Sequence, residues 1–137
     1  MLKRDYLIKQ FEEFGKVLGV ILGLKKEGSL SELNDLLNAS AQKYASTEID
    51  YVESIPDDIL IKTLTEEKKL SDEQLKMLGD LLFEKAEYYL KNDSPEAQSN
   101  NCYKKAYLIY QFLNNSATLT YSLDMHYKLE ILNKMDL

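Results

Sequence analysis

One pattern occurs twice in this chain and constrains its fold more than any other feature. Residues 75–82, LKMLGDLL, and residues 11–18, FEEFGKVL, each place large apolar side chains at i, i+3 and i+7 and a glycine at i+4. On a helix this spacing puts the large residues on one face, with the glycine beside them. The glycine costs about 1 kcal/mol of helix propensity relative to alanine, but it lets a second helix approach closely. We therefore expect Gly15 and Gly79 at tight helix–helix contacts, each in the first helix of a two-helix unit.

Helical periodicity and start signals predict an all-α fold with five to six helices. Residues 29–32 and 71–74 are capping boxes that each begin a helix. Pro56 and Pro95 suit the first turn of a helix, with Ser94 as the N-cap of the second. The result is a single domain over 1–137. It divides into a first hairpin over 1–45, a connecting segment with a short helix over 46–70, and a second hairpin plus C-terminal helix over 71–137.

Apolar stripes predict which side of each helix faces the core. In the first helix, Gly15, Gly19 and Gly23 form a further line, a groove for the second helix or for a symmetry copy. In the connecting segment, Ile59, Leu60 and Leu64 are expected to face inward. The other predicted core residues are Leu7, Phe11, Phe14, Leu18, Ile21, Leu33, Leu37, Ala41, Leu75, Leu78, Leu82, Ala86, Tyr89, Met125, Leu129 and Leu132.

Composition and charge limit the function classes. The 137 residues carry a net charge of −6, which argues against nucleic acid as a partner. Residues 29–80 carry most of the negative charge and are interpreted as a solvated face. A single cysteine favours a reducing compartment. The longest apolar run, residues 17–24, is far shorter than the roughly 20 residues of a membrane span, and no signal peptide is recognisable. We expect a soluble cytoplasmic protein.

The second hairpin resembles a tetratricopeptide-type unit, which has large residues and a glycine in its first helix and small and aromatic residues in its second. The matching residues are Leu75, Leu78, Gly79 and Leu82, followed by Ser99, Tyr103 and Ala106. Both hairpins are longer than that repeat, so the resemblance implies a divergent, tetratricopeptide-like fold. The whole chain resembles a family of small bacterial proteins of unknown function, and that resemblance supplies no catalytic residues.

The residues offer little for catalysis. His126 is the only histidine, so a histidine-based triad or histidine-cluster metal site is excluded within one chain. Cys102 aligns with Ala106 and Ile109 on one helical stripe and is interpreted as a buried small hydrophobe. No phosphate loop, dinucleotide fingerprint or zinc spacing occurs, and we expect neither a cofactor nor a metal.

Tyrosines are concentrated in the second half of the chain, seven of the ten between residues 88 and 127. Tyrosine buries a large area and keeps a polar tip, so a tyrosine stripe fits either a core or an interface. The candidate interaction surface consists of Tyr103, Tyr107, Tyr110, Tyr121, Met125 and Tyr127.

The favoured function is a non-enzymatic helical scaffold or adaptor that binds a protein partner or its own copy, as a homodimer, because stacked hairpins leave extended surfaces. The alternative is a small-ligand or peptide-binding module with a tyrosine-lined pocket between the hairpins.

Overall fold

The computed structural model describes residues 3–27, 30–92, 95–115, 123–135 and 137. These residues form helices and connecting turns without any strand, which confirms the all-α prediction. The described residues form seven α-helices, where five to six were expected. Their bounds are α1 Lys3–Glu27, α2 Leu30–Ala45, α3 Ile49–Ser54, α4 Leu60–Lys62, α5 Asp72–Lys91, α6 Glu96–Asn114 and α7 Leu123–Asn133.

The α5–α6 hairpin lies at the centre of the molecule. α5 packs against α1, α2, α3 and α6, and α6 also contacts α4 and α7. The apolar side of α2, with Leu33, Leu37 and Ala41, is fully buried, as its periodicity predicted. Phe14 of α1 packs edge-on against Tyr44 of α2, with ring centroids 5.5 Å apart. The side chains of Leu7 and Phe11 lie outside the described residues.

The start signal of α5 is confirmed in atomic detail. The Gln74 backbone N–H donates to Ser71 Oγ at 3.2 Å, and the Ser71 N–H donates to Gln74 Oε1 at 2.9 Å, so two free donors of the first turn are satisfied. Pro95 directly precedes the first residue of α6 and takes the N-cap position. The predicted caps at Ser29 and Ser94 lie outside the described residues.

The connecting segment holds more helix than predicted. A 3₁₀ turn, Asp57–Ile59, follows Pro56 and leads into α4 and a π-helical turn, Thr63–Glu67. Leu60 and Leu64 are buried as expected, but Ile59 is 43% exposed, so its inward assignment was wrong: it ends the tight 3₁₀ turn, one residue before the α-helical spacing begins.

The six-residue helix α3 was not predicted from the sequence. Asn38 of α2 holds its first turn, donating from Nδ2 to Asp50 Oδ2 at 3.0 Å and accepting from the Asp50 N–H at 3.1 Å. A helix this short owes its stability to tertiary contacts, which periodicity does not reveal.

The two expected glycine contacts have opposite outcomes. A Cβ on Gly79 would lie 2.7 Å from Cε1 of Tyr110, which confirms the close approach of α6. Gly15 is exposed, and a Cβ there would meet no atom of the described residues within 4 Å, so its predicted contact is wrong. The same holds for Gly19 and Gly23, which form no groove for α2, because α1 packs through its opposite face.

Replacing Gly79 tests the close contact. The Tyr110 ring is fully buried and cannot move aside cheaply, so overpacking of roughly 1–3 kcal/mol exceeds the gain of about 1 kcal/mol in helix propensity. We expect Gly79→Ala to lower the free energy of unfolding, and Gly79→Leu to lower it by more than about 1 kcal/mol, in urea melts. The control Lys91→Ala, at an exposed position of α5, is expected to change it by less than about 0.5 kcal/mol. A Gly79→Leu protein as stable as wild type would contradict the contact.

Candidate functional site

The buried carboxylate of Asp80 joins three helices. Its Oδ1 accepts hydrogen bonds from the Tyr110 hydroxyl of α6 at 2.6 Å and from Lys128 Nζ of α7 at 3.2 Å. Its Oδ2 accepts from Lys76 Nζ at 2.7 Å. Both lysines also lie 3.2 Å from Asp124 Oδ2, so two cations and two carboxylates balance one another. We call these residues the Asp80 cluster; it fixes α7 to the central hairpin.

A second cluster fixes α3 to the same hairpin. Lys85 of α5 is only 2% exposed, and its Nζ donates a short hydrogen bond to Glu53 Oε2 and a longer one, 3.3 Å, to Asp50 Oδ1. The other carboxylate oxygen of Glu53 accepts from the Cys102 thiol at 3.3 Å. Asn101 of α6 donates to the Glu53 carbonyl at 3.3 Å. We call these residues the Lys85 cluster.

A third buried lysine repeats the arrangement next to the second cluster. Lys105 of α6, also 2% exposed, donates from Nζ to the Ile55 carbonyl and to Asp57 Oδ1, the latter at 2.7 Å. Lys85 and Lys105 therefore reach from the two helices of the hairpin to one segment, residues 50–57. Removing a partner from a buried ion pair leaves an uncompensated charge, so these contacts specify where the segment lies.

Two groups of the Lys85 cluster, Cys102 and Lys85, are held in their protonated forms. Burial, reinforced by Glu53, raises the pKa of the Cys102 thiol far above its usual range, so the nucleophilic thiolate is not populated at neutral pH. Burial alone would lower the pKa of Lys85, but the hydrogen bond and charge of Glu53 outweigh it and raise that pKa, so the amine stays protonated. In the Lys85 cluster the Cys102 thiol is therefore not activated as a nucleophile, and the Lys85 amine is not available as a base.

The predicted tyrosine surface divides in the structure. Tyr103 and Tyr110 are buried, with Tyr103 edge-on against Phe83 at 5.6 Å between centroids, and Met125 is buried as well. These three residues belong to the core and not to an exposed surface, because their helices face one another. Tyr107 is half-buried and Tyr127 is 64% exposed, while Tyr121 lies outside the described residues.

Two of the three tyrosines predicted to line a pocket between the hairpins, Tyr103 and Tyr110, are instead buried in the core. Tyr107 borders a depression of about 250 Å³ beside the end of α7. Its lining residues are Lys104, Tyr107, Leu132, Asn133, Met135 and Leu137.

Sequence reasoning missed the buried lysines because it assigned charged residues to solvated faces. A signal was nevertheless present. Lys105 lies three residues after Cys102 and four before Ile109, on the apolar stripe of α6. Lys85 stands in the same way between Leu82 and Tyr89. A lysine at a stripe position indicates an ion pair inside the fold, although the sequence does not name its partner.

The outward face of α1 carries a line of glycines that packs against none of the described residues. Gly15, Gly19 and Gly23 follow one another every four residues, and among the side chains that the structure describes none lies within 4 Å of a Cβ placed at any of them. Beside this line, Val20 and Leu22 are 57% and 47% exposed. Three glycines inside one helix lower its intrinsic helix stability by about 3 kcal/mol relative to alanine. Among the described residues, no side chain packs into the space beside them. We call this surface the glycine face.

Replacing Asp80 tests the first cluster. In Asp80→Asn the amide keeps the size of the side chain but leaves Lys76 and Lys128 without a buried counter-charge. We expect a loss of about 3 kcal/mol in the free energy of unfolding, measured by urea denaturation. The matched control Asp124→Asn removes the exposed partner of the same lysines and is expected to cost about 1 kcal/mol or less. Equal losses in the two variants would show that the burial of Asp80 is unimportant.

The clusters also predict how stability depends on pH. Burial raises the pKa of Tyr103 to about 12 and that of Tyr110 well above its usual value, and Asp80 and Asp124 raise the pKa of Lys128 although burial opposes them. A group whose pKa is higher in the folded state stabilises fully below its unfolded pKa and loses that effect as the pH rises through the folded pKa. Because unfolded tyrosine and lysine titrate near pH 10, we expect the free energy of unfolding to fall steeply above about pH 9.5.

Urea melts between pH 7 and about pH 11 provide the measurement. Tyr110→Phe should flatten the alkaline decline, whereas the control Tyr127→Phe, at an exposed position, should leave it unchanged. A stability that stays constant up to about pH 11 would contradict the role of these buried groups.

Comparison with known proteins gives no relative: no protein-family model, curated protein or solved structure matches this chain. The resemblance to tetratricopeptide units and to a bacterial family therefore stays a prediction. Within the described ranges, no three His, Cys, Asp or Glu residues group as metal ligands would. None of the helices formed by those residues has the length and apolar character needed to cross a membrane.

Proposed function

We propose that this protein is a non-enzymatic helical scaffold or adaptor, acting in the cytoplasm, that binds a protein helix on the glycine face of α1. The observation that carries the proposal is the open space over Gly15, Gly19 and Gly23 on an otherwise well-packed molecule. A line of small residues lets two helix backbones approach closely, where van der Waals and Cα–H···O contacts form. Exposed Val20 and Leu22 at its edge supply apolar area that a partner would bury.

The chemistry of the interior supports a binding role. The buried lysines, Asp80 and Cys102 take part in hydrogen bonds that hold helices together. The Cys102 thiol and the Lys85 amine stay protonated, which does not suit them to nucleophilic or base catalysis. A rigid hairpin core that presents one unpartnered helix face is typical of interaction proteins. Tyr127, exposed on α7, offers a further apolar side chain to a partner.

A capture experiment with matched variants tests this function. The tagged chain, its Gly19→Leu variant and the control Lys91→Leu are incubated with cell extract, and bound proteins are identified by mass spectrometry. Each candidate, including the chain itself, is then remeasured as a purified pair by calorimetry.

The expected result is that wild type and Lys91→Leu bind the same partner equally. Gly19→Leu should bind at least about tenfold more weakly, because its side chain holds the helices apart. Circular dichroism checks that α1 remains helical in the variant, as expected for a substitution into open space. A partner bound with unchanged affinity by Gly19→Leu would show that the glycine face is not the binding surface.

A further inference from the structure

The connecting segment between α2 and α5 is bounded at each end by a residue with left-handed backbone. Ser46, directly after α2, and Lys69, two residues after the π-helical turn, both have a φ of 55°, and they are the non-glycine residues with positive φ in the part of the chain that the structure describes. This conformation is unfavourable for a residue with a Cβ, and glycine commonly takes it at the end of a helix. Strain is therefore stored at both ends of residues 47–68, which we call the strap.

The strap is connected within itself from one end to the other. Its last residue, Lys68, lies over the ring of Tyr51 in α3, with Nζ 4.9 Å from the ring centroid. Between these two residues, the rest of α3, the 3₁₀ turn, α4 and the π-helical turn follow one another almost without interruption. A segment with continuous local structure and a contact between its ends is suited to move as one unit.

Polar contacts of one kind hold the strap against the central hairpin. Residues 46–61 contain five Asp or Glu and no Lys, Arg or His. Opposite them, Lys85 of α5 and Lys105 of α6 donate to carboxylates and to one carbonyl of the strap. When such ion pairs separate, water solvates both partners, so they oppose separation less than their attraction suggests. The surface between strap and hairpin is therefore easier to part than an apolar one of the same size.

Apolar packing makes the parted state rare. The strap also buries five apolar side chains, and returning them to water is unfavourable. They are Ile49, Val52, Ile55, Leu60 and Leu64. Relief of the two strained residues, hydration of the ion pairs and the freedom regained by the backbone act in the opposite direction. The strap is therefore closed in nearly all molecules, with a minor population in which it is open.

Cys102 lies beneath the strap. Its side chain is fully buried in α6, and its thiol donates to Glu53 Oε1 of the strap at 3.3 Å. Burial, followed by Glu53, raises the pKa of this thiol, whereas Lys85 and Lys105 lower it. Opening removes the burial and Glu53 but leaves both lysines on the hairpin. The thiol is therefore inert under the closed strap and more acidic once the strap has moved away.

We infer that the strap opens as one unit about Ser46 and Lys69, while α2 and the α5–α6 hairpin stay folded, and that it thereby gates the reactivity of Cys102. The device goes beyond the proposed function and does not depend on the partner of α1. A small disulfide reacts only with the open form: the thiolate sulfur attacks one sulfur of the reagent, a new S–S bond forms, and the other sulfur leaves as a thiolate. The adduct takes the space of Glu53, so it holds the strap open until a reducing thiol removes it.

The rate at which an aromatic disulfide labels Cys102 in the intact chain provides the first test. Dividing this rate by the rate in the urea-denatured chain gives the fraction of molecules with an exposed thiol. Without urea, that fraction should exceed the globally unfolded fraction at least about tenfold. Its dependence on urea should be less than half that of global unfolding, because the strap is a small part of the chain. A fraction and a urea dependence equal to those of global unfolding would overturn the inference.

Matched variants test whether the strap is the part that uncovers the thiol. Asp57→Asn removes the carboxylate that Lys105 binds and should speed labelling about fivefold or more. The control Asp58→Asn makes the same change at the adjacent exposed position and should alter the rate by less than about twofold. Ser46→Gly and Lys69→Gly accept the left-handed backbone without strain and should each slow labelling about twofold or more. Equal rates in Asp57→Asn and wild type would show that the thiol is uncovered by another route, and unchanged rates in both glycine variants would overturn the assigned hinges.

Amide hydrogen exchange of the Cys102 adduct tests whether opening is confined to the strap. In the adduct, protection should be lost in residues 49–67 and retained in α2 and α5, and it should return when dithiothreitol releases the label. The unlabelled chain serves as the control. Loss of protection throughout the described helices would show that labelling requires global unfolding, and full protection of residues 49–67 in the adduct would show that the strap does not cover the thiol; either result would overturn the inference.

Discussion

The hydrogen bond from Tyr110 to Asp80, made across the missing side chain of Gly79, is the contact on which the central packing depends. Because Gly79 has no Cβ, the Tyr110 ring lies against the α5 backbone, and its hydroxyl reaches the carboxylate one residue further along. The free-energy cost of desolvating that carboxylate is offset by its ion pairs with Lys76 and Lys128. One glycine thus allows the approach of α6, and the aspartate beside it also binds α7. This explains why α5 contributes polar as well as apolar residues to the core.

Buried lysines extend the same principle to the connecting segment. Lys85 and Lys105 direct their ammonium groups to carboxylates and a carbonyl within residues 50–57. Such pairs add little net stability over well-packed apolar groups, but they tolerate few alternative positions of the segment. The short elements α3 and α4 would otherwise be held by few apolar side chains. Charge pairing therefore sets the geometry of a region whose own helix-forming tendency is weak.

Long helices were predictable from the sequence because their periodicity and caps act locally. The bounds of α1, α2 and α5 follow from apolar spacing and from signals such as the Ser71 box. α3 escaped prediction because its stabilising partner, Asn38, is twelve residues away from Asp50. Spacing also did not determine which glycine contacts another helix. Gly15 and Gly79 lie in the same motif, but of the two it is Gly79 that packs against a neighbouring helix among the described residues.

The candidate site was predicted less completely than the fold. Periodicity correctly placed Tyr103 and Tyr110 on one stripe but did not tell whether a partner helix of the same chain or of another molecule covers it. The buried ion pairs depend on residues about 30–50 positions apart, such as Lys85 with Glu53 and Lys105 with Asp57, which a single sequence does not connect. Spacing predicted the glycine line of α1, but it did not show which side of the helix α2 contacts. In the structure α2 packs on the side opposite the glycines.

The ionic clusters of α5, α6 and α7 hold one arrangement of the core, and in the proposed function α1 presents the surface that binds a partner. Amide hydrogen exchange measured with and without a captured partner tests this division most directly. We expect protection of residues 15–23 to rise when the partner binds, while protection in the α5–α6 hairpin stays constant. Unchanged exchange in α1, or a change confined to the hairpin, would contradict this division.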